Sequence, residues 1–96
     1  MSLYNRERRT LYFGNNVVKA FKKRAPNQEL ILLAFEEDGW LPKIYSPLRP
    51  NFEQDLKVML NRTVQDLTRG LDRQDLIRFG LDGTGEQRIE WRRVQP

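Results

Sequence analysis

Lys57, Asn61, Arg62, Gln65 and Arg69 carry the side-chain types that hydrogen-bond base edges and phosphate oxygens. Among them run Leu56, Met59, Leu60, Thr63, Val64 and Leu67, at i, i+3, i+4, i+7, i+8 and i+11, the spacing of one helical face. A helix here turns that stripe to a core and presents the basic and amide residues on the other side, to nucleic acid or simply to water. Further on, Arg78, Arg88, Arg92 and Arg93 cluster around a second regular pattern. Leu76-Ile77-Arg78-Phe79 and Arg88-Ile89-Glu90-Trp91-Arg92 alternate apolar and polar residues, so a hairpin is expected with Ile77, Phe79, Ile89 and Trp91 facing inward.

Other chemistry is poorly supplied. The 96 residues include no histidine and no cysteine, which removes the commonest metal ligand and general base, the thiolate nucleophile and any disulfide. An enzyme would have to act through carboxylates, lysines or tyrosines, so we expect no catalytic residue, no cofactor and no metal. The stretch DGTGE, Asp82 to Glu86, raises the question of a phosphate loop, since with Gly80 it places three glycines in six positions. A strand pattern follows it, however, where a phosphate loop needs Gly-Lys-Ser/Thr and a helix N-terminus. Asp82 and Glu86 are too few oxygen ligands for a calcium loop, and an exposed tip gives no reason for their acidities to diverge as a general acid and base must. The glycines are those of a turn.

The chain has 17 Lys and Arg against 13 Asp and Glu, a net charge of +4 that points mildly toward anionic partners. Its length suits one domain over residues 1–96, with residues 1–9 a candidate disordered segment. No apolar run approaches the roughly eighteen residues of a membrane span and the N-terminus lacks a signal's apolar core, so a cytoplasmic protein without membrane contact is expected.

The remaining elements can be read in order. Thr10–Phe13 and Val17–Lys22 form a hairpin around Gly14-Asn15-Asn16, with Arg6, Arg8 and Arg9 brought near Lys22, Lys23 and Arg24 at its open end. After Pro26 a core helix is expected to Asp38, with Asn27 able to cap it and Gly39 stopping it. The connection GWLPKIYSPLRP is interrupted by Pro42, Pro47 and Pro50 and reads as an ordered, packed segment. Its Trp40, Leu41, Ile44, Tyr45 and Leu48 either cover the core or form a partner surface. Asn51-x-x-Gln54 resembles a capping box for the second helix, with Asp55 an alternative cap and Gly70 a stop.

The order is hairpin, core helix, proline-rich connection, amphipathic helix, hairpin: an α+β, winged-helix-like arrangement with the last hairpin as the wing. Three motifs, APNQ before the first helix, AFEE-x-GW at its end and IRF-x-x-DGTG-x-x-x-x-W in the hairpin, resemble those of an uncharacterised family of small bacterial proteins. The resemblance covers roughly Asn16 to Trp91. It implies a winged-helix-like fold and no established activity. The chain departs from that pattern in LPKIYSPL and at Leu56. The expectation is a DNA-binding protein with a transcription-related role, contacting double-stranded DNA through the five α-helical residues and the hairpin arginines. The alternative is a protein-interaction or homodimerisation module using the Trp40–Leu48 stretch and the charge patches Lys22–Arg24 and Glu36–Asp38.

Overall fold

Gly14 and Asn15 reverse the chain between two runs rich in β-branched and aromatic residues, and in the computed structural model, which describes residues 2–49, 55–84 and 87–94, a hairpin forms there. β2 (Thr10–Phe13) pairs antiparallel with β3 (Asn16–Ala20), and Gly14 takes the left-handed φ of 61° that a tight turn requires. β3 ends at Ala20, short of Lys22. Phe21 instead buries its ring edge-on to Tyr4, while its N–H donates to the Arg9 carbonyl at 3.0 Å.

Residues 2–9, expected to be disordered, add a strand. β1 (Tyr4–Asn5) pairs with β2, setting Tyr4 opposite Leu11. The reason lies in long-range contacts: Leu3 and Tyr4 are buried, and both their N–H groups donate to Glu36 Oε1, at 2.7 and 2.9 Å. Apolar burial with every donor satisfied outweighs the entropy of a free tail.

α1 (Pro26–Glu37) starts at its proline, whose fixed φ and missing donor suit the first turn. Asn27 therefore lies inside the helix and is not its cap. Ala25 holds the cap position, and its N–H donates to Glu29 Oε2 at 3.2 Å. The helix leaves through two successive left-handed residues, Gly39 (φ 70°) and Trp40 (φ 62°). For a tryptophan that backbone is strained, and it is held by the stack of Trp40 on Phe35, 5.2 Å between centroids, and by its indole N–H donating to Glu36 Oε1 at 2.7 Å.

The proline-rich connection is more than a packed segment. Between Pro42 and Pro47 it forms β4 (Lys43–Tyr45), an edge strand, where prolines are tolerated. Pro50 and the Asn51-x-x-Gln54 pattern lie outside the described residues. α2 (Leu56–Arg69) is capped by Asp55, whose carboxylate accepts from the Lys57 N–H at 2.7 Å, and it ends at Gly70. β5 (Ile77–Leu81) and β6 (Arg88–Arg93) form the last hairpin, and β4 joins it in the order β4-β6-β5.

Among the described residues, two helices and two three-stranded antiparallel sheets thus make an α+β fold around one core. Phe35 lies near its centre, touching Trp40 and Phe79, while Trp91 meets Trp40 edge-on at 5.5 Å. Ile31, Leu32, Leu60, Leu67, Ile77 and Ile89 close around them. The sheets are also tied across the loop after α2, where the Asp72 N–H donates to the Val18 carbonyl at 2.8 Å.

Candidate nucleic-acid interface

α2 is fixed by Met59, Leu60, Val64 and Leu67, all buried, so its register leaves Lys57, Asn61, Gln65 and Arg69 exposed and spaced four apart in one stripe. Thr68 sets the gap between this helix and the last hairpin. Its hydroxyl donates to the Phe79 carbonyl at 2.8 Å and accepts from the Phe79 N–H at 3.1 Å, satisfying a peptide group on the free edge of β5. Beside that clasp opens a cleft of about 480 Å³, with Asn61, Gln65 and Arg69 on the helix wall, Gln74, Gly80 and Leu81 opposite, and Val64 and Phe79 at its base. A smaller cleft continues at the N-terminal end of α2, where Lys57 and Leu60 face Asp82, Gly83 and Arg88. Around the β5 edge, Thr68 and Gly80 lie beside Arg78, Glu90 and Arg92.

The fold therefore gathers seven of the eight candidate residues, Lys57, Asn61, Gln65, Arg69, Arg78, Arg88 and Arg92, along one side of α2 and the hairpin. Arg62 is not among them. It lines a different cleft, against Ala25–Gln28 at the start of α1. Arg93 stands apart too, its guanidinium 5.4 Å above the Phe13 ring of the first sheet, a structural contact.

The stripe is little engaged with its own protein. Arg69 reaches Asp66 at 3.2 Å, but the side chains are 74% and 45% exposed, a geometry that contributes little. Gln65 donates to Asn61 at 3.3 Å. Across β5 and β6, Arg78 and Arg92 are direct partners in the register, and Glu90, two residues from Arg92 on the same face, offsets part of their repulsion. Arg88 is more constrained, donating from Nη2 to the Tyr45 hydroxyl at 2.7 Å with its guanidinium 4.7 Å over that ring. Asp82, which a phosphate backbone would repel, is turned into its own loop. The Thr84 N–H at 3.0 Å, and then the Thr84 hydroxyl at 2.7 Å, hold its carboxyl below the usual range. Glu86 lies outside the described residues.

The Trp40–Leu48 stretch does not form a surface. Trp40 (3% exposed), Ile44 (5%) and Leu48 (5%) belong to the core because β4 turns Ile44 inward and Trp40 stacks on Phe35. Leu41 and Tyr45 alone of the five are exposed, at 56% and 65%.

No protein-family model, no curated protein and no solved structure matches this chain. Among the described residues no group of three or more acidic side chains could hold a metal ion, and no helix is long and apolar enough to cross a membrane.

Two residues that matter to the site carry no sequence signal of their roles. Thr68 looks like any helical threonine, and the pairing of Tyr45 with Arg88 joins positions 43 residues apart. The acidic run Glu36–Asp38 misleads in the same way. Glu36 faces inward, where burial works against its charge but the Trp40 indole and the Tyr4 and Leu3 N–H groups outweigh it, so its carboxyl stays below the ordinary range.

Proposed function

We propose that this protein binds double-stranded DNA along the cleft between α2 and the β5–β6 hairpin, as a winged-helix-like module in a transcription-related role. In this reading α2 enters the major groove, whose width of about 12 Å admits a helix, and the hairpin is the wing that follows the backbone. The chain order of helix, strand, helix and hairpin, with β4 returning to pair with β6, supports the arrangement. Membership of the bacterial family that the APNQ, AFEE-x-GW and DGTG motifs resemble belongs to the same proposal.

The observation that carries it is the set of cations along neighbouring clefts of α2 and the hairpin: Arg69 in the main cleft, Lys57 and Arg88 in the smaller one, and Arg78 opposite Arg92 at the β5 edge. Glu90 offsets only one of the two charges in the Arg78–Arg92 pair, and a phosphate near them is attracted by the remainder. Asn61 and Gln65 between the cations supply the amides that pair with adenine edges, whereas phosphate contacts alone would fix only the register.

Fluorescence anisotropy of a labelled random-sequence duplex, titrated across a range of salt, tests this. We expect the log of the affinity to fall with log salt, the cleft cations alone contributing a slope of about −3 to −5, the release accompanying roughly four or five phosphate contacts. Absence of binding at low salt would overturn the reading and turn attention to a protein partner.

A further inference from the structure

A second group of cations lies outside the cleft. The β1–β2 turn carries Arg6 and Arg8, and the segment joining β3 to α1 carries Lys22, Lys23 and Arg24. These segments are held side by side by Arg9, whose carbonyl accepts from the Phe21 N–H at 3.0 Å and whose Nη2 donates to the Lys23 carbonyl at 2.9 Å. Arg9 also occupies the carboxylate of Glu29 in α1. Its Nε and Nη2 reach Glu29 at 2.8 and 2.9 Å, and Tyr4 and the Ala25 N–H take up the remaining capacity of that group.

The consequence is that Arg6, Arg8, Lys22, Lys23 and Arg24 are exposed, and among the described residues none of them has a carboxylate within ion-pair distance. Lys19 stands between this group and the C-terminus of α2. Its amine lies 3.4 Å from the point where a Cβ on Gly70 would project, at the C-terminus of α2 and one residue from Arg69. Together Lys19, Lys22, Lys23 and Arg24 border an open cleft of about 460 Å³ with Gln28 and Asp72.

We propose that this cluster is a second phosphate-backbone contact, continuing the DNA path from the cleft past the C-terminus of α2. It rests on the DNA-binding reading above. Exposed cations without a buried polar pocket do not define a site for a single small anion, but a chain of phosphates engages several at once and releases a counterion at each. Nor does the cluster suit a protein partner, whose interfaces centre on aromatic or apolar anchors. Phe21, the aromatic residue bordering the cleft, is buried. The neighbouring α2, fourteen residues and hence about 21 Å long, already spans a groove. A contact beyond its end lengthens the footprint along the backbone without adding base readout.

The test compares three proteins in the same anisotropy titration with the labelled random-sequence duplex: the native chain, a cluster variant Lys22→Gln/Lys23→Gln/Arg24→Gln, and a cleft variant Lys57→Gln/Arg69→Gln. The cluster variant should still bind, with affinity at low salt reduced at least about tenfold and the salt slope shallower by about two to three, one unit for each lost phosphate contact. A control with Lys22→Arg/Lys23→Arg/Arg24→Lys should keep the native slope. Native slope and affinity in the cluster variant, alongside weakened binding by the cleft variant, would overturn the second contact and leave the cleft reading intact. Binding lost in the cluster variant and unchanged in the cleft variant would overturn the cleft reading, and with it the path proposed here. A native chain that does not bind overturns both.

Discussion

The two helices differ in what their polar residues do. α1 commits its inward carboxylates to its own fold: Glu29 holds Arg9, Tyr4 and the Ala25 N–H, and Glu36 holds Trp40 and two N–H groups of the first sheet. α2 commits its apolar stripe and Thr68 to the core, and leaves Lys57, Asn61, Gln65 and Arg69 with one weak ion pair and one long amide contact among the described residues. Polar groups near a core stay only when they are satisfied, whereas an exposed polar face costs nothing to leave unengaged. The same residue classes therefore measure stability in one helix and capacity for a partner in the other.

That contrast can be broken most severely at Glu36. Replacing Glu36 by Ala leaves the Trp40 indole and the Leu3 and Tyr4 N–H groups without their acceptor, and we expect a loss of about 3 kcal/mol in urea unfolding. That is a large share of the roughly 5 to 15 kcal/mol available to a domain.

Next in size is the response to pH. Glu29 is held down to about 2, chiefly by Arg9 and against the effect of burial, so folding favours its charged form. That stability is whole above the ordinary value of 4.5 and is lost as pH falls toward 2. Tyr4 is pushed up to about 12, first by burial and then by its hydrogen bond to Glu29, so folding favours the neutral phenol. Its contribution is whole below pH 10.0 and is lost as pH rises toward 12. Each should be worth on the order of 2 kcal/mol. Arg9→Gln should flatten the acid limb of a stability-against-pH curve, and Tyr4→Phe the alkaline limb.

Smaller effects sharpen the picture on the α2 side. Thr68→Val removes both hydrogen bonds to the Phe79 peptide and should destabilise by about 1 to 2 kcal/mol. At the exit of α1, Gly39→Ala meets no neighbouring atom, so only the left-handed backbone is taxed, by about 1 kcal/mol. The smallest change in stability belongs to Lys57→Gln/Arg69→Gln, within about 0.5 kcal/mol, although that variant should lose DNA affinity. A comparable loss of stability there would mean that α2 is committed to its own fold as α1 is.

What the sequence disclosed follows from how local each signal is. α2 was legible because six positions share one period, and the turns because Gly14 and Gly83 favour the left-handed backbone they adopt. β4 was not. Three residues between prolines carry almost no pattern, and their pairing with β6 spans more than forty residues of chain. β1 was hidden for the same reason, since a two-residue strand is held by the burial of Leu3 and Tyr4 and by Glu36, 32 residues from Tyr4, which receives the Tyr4 N–H. Of the site, the helix stripe and the hairpin arginines were readable as residue types, but their alignment along one side of α2 and the hairpin was not. Arg62 illustrates the limit: one position past Asn61 it lies about 100° around the helix, and so falls on the α1 side.

The most direct test of the contrast is to record the backbone amide resonances of the protein while a DNA duplex is titrated in. We expect shifts at Lys57, Asn61, Gln65, Arg69, Gly80 and Arg88, extending to Lys19 and Lys22–Arg24, with Ile31 to Phe35 in α1 unmoved. Shifts centred on α1 or on Leu41 and Tyr45, or none at saturating duplex, would contradict the assignment of α2 as the helix left free for a partner.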